Sequence, residues 1–219
     1  MQPLTSIDVV GHESGHGIIE ALGGLEYQGE SGALNESIAD ILGTCLEKYY
    51  DIKSNSLLFD WDMGEDFIPG ALRSMSNPKR LQQPEYYQGD YWANTMSSED
   101  QGGVHTNSGV NNFFYYTVST GSEGTNEKGQ RFKVEKPFQM FKLADLIYRS
   151  LQGGGGYKKV SSNDSYKQFA ECLKSNCPTY LKEKGLPSEL YKSVEEGLAA
   201  TGLASPQPLP GPPPLPESE

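Results

Sequence analysis

Apolar positions recur at helical spacing in several stretches of this chain, divided by segments rich in glycine, proline and polar residues. The pattern predicts a helix from Ile7 to Leu22, stopped by the pair Gly23-Gly24. After the turn-rich link YQGESG, Leu34, Ile38, Ile41, Leu42 and Cys45 predict a second helix over Gly32 to Tyr50, with Cys45 in the core. Proline, glycine and polar residues dominate Asp51 to Gly103, so loops with little regular structure are expected there. Ser108 to Ser119 reads as a buried helix whose Phe113, Phe114, Tyr115 and Tyr116 serve packing. A loop is expected over Gly121 to Pro137, then helices over Phe138 to Leu151, Ser165 to Lys174 and Ser188 to Ala200, with Gly153 to Gly156 as a break. The fold class that follows is mostly α, with long irregular loops.

His12-Glu13-Ser14-Gly15-His16 gives this layout its chemistry. Residues four apart share a helix face, so His12 and His16 can present their rings to one metal ion. A carboxylate from a second helix would complete three protein ligands and leave a zinc position open, and Glu36 is the candidate. Zinc makes a bound water acidic, with a pKa of about 7, and Glu13 is placed to take its proton. The bland alternative is a pair of surface histidines. The third histidine, His105, lies in DQGGVHTNSG, a polar, glycine-rich stretch expected to be a loop.

VVGHESGHGI, GLEYQGESGALNESIADILGT, DWDMGED, ALRSMSNPKR and DQGGVHTNSGVNNFFYY occur in this order. Together they resemble the thermolysin-like neutral metalloproteases, from about Leu4 to Tyr116 and again weakly near SVEEGLAATGL. The resemblance implies His12, His16 and Glu36 as zinc ligands and Glu13 as the base. It implies that His105 and Tyr27 donate to the tetrahedral oxyanion, with Asp100 orienting His105. Asp40 and Asn35 would hold the outer nitrogens of the two zinc histidines, and Arg73 would bind a substrate carbonyl on the primed side. Leu72 and Val9 would line an apolar pocket there. Ordinary roles compete: Asp40 as an exposed helix charge, Tyr27 as a packing aromatic, Arg73 as a partner of surface carboxylates, Leu72 and Val9 as core. Small residues at Ser14 and Gly15 depart from the family and are expected to lower helix propensity and loosen packing.

A second acidic group comprises Asp8, Glu47 and the run Asp60-Trp61-Asp62-Met63-Gly64-Glu65-Asp66. Like charges this close need a cation, and hard oxygen ligands point to calcium. The resemblance assigns Asp8, Glu47, Asp60, Asp62 and Glu65 to one or two structural calcium ions, Leu58 standing where the family uses an asparagine for the second. The alternative is a solvated acidic loop. FIPGAL, between Asp66 and Arg73, is shorter than its family counterpart, and a further calcium loop is expected to be absent.

The chain has 219 residues, a net charge of −11 and 36% hydrophobic content. That charge disfavours nucleic acid, and no apolar run is long enough for a membrane span. No signal peptide opens the chain, and Met1-Gln2-Pro3 leads almost directly into the zinc helix. The resemblance implies that residues 1–203 form the helical catalytic domain without the family's N-terminal β domain. Metal binding with poor peptide cleavage is expected of such a piece. Residues 204–219 form a proline-rich tail, PLPGPPPLP being either a passive end or a ligand for an SH3-like domain. Cys172 and Cys177 can be bridged in an oxidising compartment, unless one continuous helix carries both. An extracellular location is implied by the resemblance.

Two function classes follow. One is a zinc endopeptidase preferring a hydrophobic residue after the scissile bond; the other is a metal-binding fragment or non-catalytic partner-binding module. An exopeptidase sharing HExxH and a distal glutamate would leave DQGGVHTNSG and the acidic group without a role.

Overall fold

A computed structural model of the chain describes residues 6–204. Among them are seven α-helices: α1 (Ile7–Ala21), α2 (Gly29–Ser54), α3 (Asp100–Asn107), α4 (Gly109–Thr120), α5 (Met140–Gln152), α6 (Tyr166–Lys184) and α7 (Leu190–Ala200). Two small antiparallel pairs accompany them, β1 (Asp62–Met63) with β2 (Arg73–Ser74), and β3 (Glu123–Thr125) with β4 (Arg131–Lys133). The mostly α fold class expected from the sequence is the one observed.

The axis of the fold is α2, buried at every residue from Ser31 to Ile41. Its apolar positions Leu34, Ile38 and Ile41 join a core with Phe114 and Val118 of α4, Leu143 and Ile147 of α5, Phe169 and Leu173 of α6, and Leu198 of α7. Asn35, Glu36, Ser37 and Asp40 are buried beside them, where each polar atom needs a partner.

Small residues let α1 lie directly on α2. A Cβ on Gly11 would stand 2.8 Å from the Cα of Gly43, and one on Gly15 3.0 Å from the Cα of Ala39. A Cβ on Gly43 would collide with the Asp8 carbonyl. Backbones approach this closely only where side chains are absent, so the expected loosening at Gly15 is reversed: that glycine closes the contact. Ser14 is exposed and its hydroxyl bonds the Val10 carbonyl at 2.8 Å.

Other elements depart from their expected bounds. α2 starts three residues before Gly32 and continues to Ser54, ending on Asn55 in the left-handed region. The Asp51–Gly103 stretch contains the β1–β2 pair and a short 3-10 turn, Pro78–Leu81, and the Gly121–Pro137 loop holds the β3–β4 hairpin. His105 lies in a helix rather than a loop. α6 runs through Pro178 to Lys184, because buried Tyr180 and Leu181 beyond it offset a proline cost of about 3 kcal/mol.

That continuous helix decides the cysteine question. Cys172 and Cys177 stand five positions apart on it, about 7.5 Å along the axis, beyond the reach of a disulfide. Both are free and buried, and burial pushes their thiols up to about 11 and about 12. Cys45 is a half-buried free thiol, 3.2 Å from the Tyr115 hydroxyl. Phe114 and Tyr115 are fully buried, as a packing role requires. The proline-rich run lies outside the described residues.

Gly43→Ala is expected to force α1 off α2 and destabilise the chain by about 1–3 kcal/mol. Thermal unfolding checks this, and an unchanged midpoint would contradict the close contact.

Candidate active site

The α1–α2 contact brings His12 and His16 against Glu36. Their Nε2 atoms are 3.0 Å apart, and Glu36 lies 3.5 Å from His12 Nε2 and 3.3 Å from His16 Nε2. Among the described residues these three form the group whose ligand atoms all lie within 4.8 Å of one another. Their outer nitrogens are already engaged, His12 Nδ1 with Asp40 at 2.8 Å and His16 Nδ1 with Asn35 at 2.8 Å. Carbonyl and carboxylate acceptors there place the proton on Nδ1 and leave the Nε2 lone pairs facing each other. Two lone pairs beside a carboxylate repel unless a cation sits among them. Glu36 Oε2 is buried without a hydrogen-bond partner, and imidazole with carboxylate is a donor set that suits zinc.

Electrostatics point the same way. Contact with Glu36 raises the His16 pKa above its ordinary value, so positive charge is favoured there. Burial opposes ionisation of Glu36, but the contact with His16, the Tyr27 hydroxyl and nearby Arg73 hold it below the usual carboxylate range.

Asp40 is fully buried and carries four contacts: His12, the Nε and Nη2 of Arg73 at 2.7 Å each, and the Asn112 amide at 2.8 Å. Burial works against its charge, yet the Arg73 guanidinium keeps it well below the carboxylate range. Arg73 is itself buried and committed to Asp40, with Nη2 3.8 Å from Glu36. The β1–β2 pair sets Arg73 in this position, while its neighbour Leu72 is exposed and Val9 is half-buried.

Tyr27 and His105 occupy the other side. The Tyr27 hydroxyl donates to Glu36 Oε1 and stands 3.4 Å from His105 Nε2, and burial followed by Glu36 raises its pKa. Asp100 Oδ1 meets the outer nitrogen of His105 at 2.5 Å, and its Oδ2 accepts the His105 backbone N–H at 3.1 Å. The chain reaches this geometry through consecutive left-handed residues from Asp100 to Gly103. At Gly102 and Gly103 a Cβ would also strike Thr95 and Ala93, so glycine is required twice over. Glu13 is exposed and lines the cavity beside the histidines.

The acidic group gathers behind α1. Asp8, Glu47 and Glu65 each carry a buried oxygen without a hydrogen-bond partner, and Asp8 also accepts the Gly64 N–H at 2.5 Å. Burial, then Glu65 and Asp8, pushes Glu47 up to about 8, and burial with neighbouring carboxylates pushes Glu65 to about 7. Asp60 is raised by burial and its neighbours, and Asp66 adds to the same field. Unpartnered carboxylate oxygens are the donor type calcium takes, but among the described residues the acidic ligand atoms do not converge within 4.8 Å as those of the histidine trio do. The side chain of Asp62 is instead paired with Arg80.

The sequence reading omitted several contributors. Asn112 holds Asp40, and Ser37 and Asn111 extend that buried network. Paired asparagines inside an aromatic helix were the available signal, since buried amides need partners.

Fold and site together place the chain among metallopeptidases. The thermolysin metallopeptidase alpha-helical domain matches residues 23–202, and the chain belongs to that family. It is 36% identical over 203 residues to the thermostable neutral protease NprT of Geobacillus stearothermophilus, covering 90% of this chain and 33% of that protein. A bacillolysin of Bacillus cereus is 47% identical over 120 residues, covering 52% of this chain and 20% of its own length. A solved precursor of protealysin, a metalloproteinase from Serratia proteamaculans, aligns with a TM-score of 0.65 at 26% identity, over 90% of this chain and 57% of that one. The chain thus spans about a third of the length of NprT.

Asp40→Ala would strip buried Arg73 of both its close hydrogen bonds, with Glu36 at 3.8 Å the only carboxylate left to it, and is expected to cost about 3–5 kcal/mol of stability. Zinc affinity is expected to fall about 10–100-fold through loss of the His12 support. Unfolding and metal titration of the variant check both.

In the acidic group, Glu47 and Glu65 keep protons to higher pH when folded than their ordinary value of 4.5. The metal-free folded state therefore binds more protons than the unfolded chain, and stability is expected to fall as pH rises from 4.5 to about 8. Calcium should abolish that fall; melting points measured across this range with chelator and with calcium check it.

Proposed function

We propose that this chain carries the catalytic centre of a zinc endopeptidase. The observation that supports it best is the trio His12, His16 and Glu36, converging with both histidines held from behind by Asp40 and Asn35. His12, His16 and Glu36 would hold a zinc ion, which when bound would act as a Lewis acid toward water and the substrate carbonyl. Glu13, at the mouth of the same cavity, takes the proton of the attacking water and passes it to the leaving amine. His105, oriented by Asp100, and Tyr27 donate to the oxygen that becomes negative at the tetrahedral carbon.

Arg73 holds Asp40 in place and is proposed to reach a substrate carbonyl on the primed side. Leu72 and Val9 are proposed to favour a hydrophobic side chain after the scissile bond. Calcium at Asp8, Glu47, Asp60 and Glu65, with Asp62 at the edge, would neutralise the charge behind α1. Residues 1–203 acting as one catalytic unit, and an extracellular location, belong to this reading and rest on family membership. No helix among the described residues is long and apolar enough to cross a membrane.

A second reading is a metal-binding module that works against another polypeptide surface. Val10, Leu46, Tyr49, Tyr50 and Ile52 support it, being exposed apolar side chains on α1 and α2.

The test is cleavage of a quenched peptide with leucine after the scissile bond, by the zinc-loaded chain and by Glu13→Ala. Zinc-dependent cleavage that vanishes in Glu13→Ala, with zinc retained, is expected for the enzyme, and His105→Ala should lower kcat about 10²–10³-fold. Full zinc uptake with no cleavage would favour the module.

A further inference from the structure

The cavity beside the histidines measures about 580 Å³ and extends past the metal trio. Its far end is lined by Gly17, Glu20 and Leu25, whereas Val9, Leu72 and Arg73 do not line it. It is lined by Tyr27 and His105 and by none of the three residues assigned to the primed side, so we take it as the non-primed side.

Glu20 stands one turn beyond His16, on the face that carries His12 and His16. Among the described residues its side chain makes no hydrogen bond or ion pair and its Oε2 lies over Gly24, while its carbonyl accepts the Gly23 N–H at 3.0 Å. Gly17, which also lines the cavity, is exposed, and a Cβ there would meet nothing within 4 Å. Leu25, 5% exposed, gives that passage an apolar floor. No lysine or arginine lines the cavity. Lys159 reaches the backbone at Gly23 but does not pair with Glu20.

An apolar floor leading to an uncommitted carboxylate matches a long aliphatic stem ending in a cation. We propose that Glu20 is a specificity residue of this cleft, receiving the charged end of a lysine or arginine side chain on the non-primed side of the scissile bond. The inference rests on the zinc peptidase reading and deepens it. Glu13, the other free carboxylate, lies beside His12, on the near side of Gly17, and keeps its role as base.

The probes are acetylated dipeptide hydroxamates ending in lysine, norleucine or glutamate, bound to the zinc-loaded 219-residue chain and followed by calorimetry. The hydroxamate takes the metal and the side chain explores the non-primed side. An exposed ion pair predicts that lysine binds about fivefold tighter than norleucine at low salt, with glutamate weakest. High salt should compress this order. Glu20→Gln should remove the lysine preference while leaving norleucine affinity unchanged; Glu13→Gln should keep it. Equal affinities in the wild-type chain, or a lysine preference surviving in Glu20→Gln, would overturn the role of Glu20 alone. Failure to take up zinc or to bind any of the three would overturn the peptidase reading and this inference with it.

Discussion

Everything at this site depends on how closely α1 lies on α2. Gly11 and Gly15 on one helix meet Gly43 and Ala39 on the other, with Leu46 flanking the contact at Gly11. At that separation His12 and His16 reach Glu36 and, at the same time, Asp40 and Asn35. A wider spacing would leave the histidines without their second contacts. Helix packing thus sets the geometry of the His12, His16 and Glu36 trio.

The cost of this arrangement is charge and polarity carried into the core of α2. An unpaired Asp40 there would be disfavoured by several kcal/mol, and it is tolerated because His12, Arg73 and Asn112 occupy its oxygens. Arg73 therefore reaches the site from β2 as part of the fold, whatever it also does for substrate. The acidic group on the far side of α1 is the opposite case. Among the described residues no cation pairs with Asp8, Glu47 or Glu65, and burial together with the neighbouring carboxylates raises the pKa of Glu47 and Glu65.

Much of the candidate site was legible in the sequence because a metal site of the proposed kind dictates spacing: histidines four positions apart on one helix, and a carboxylate on the next one. Asp100 and His105 were found through the resemblance, but their means of meeting was not, since a left-handed run ahead of a helix leaves only its glycines as a trace. The loosening expected at Gly15 failed because propensity says nothing of a neighbouring helix. Length of α6 was underestimated for a related reason: Pro178 argues locally for a stop, whereas buried Tyr180 and Leu181 carry the helix onward. Asn112 and Glu20 were invisible as site residues, because their positions follow from packing against α2 and from the open space at Gly17.

The central claim is that this packing prepares one zinc site from two histidines and one glutamate. X-ray absorption at the zinc edge, on the 219-residue chain titrated with zinc, tests it most directly. One zinc per chain with two imidazole nitrogens and oxygen ligands is the expected result, with occupancy lost in Glu36→Ala. No bound zinc, or a zinc held through cysteine sulfur, would contradict it.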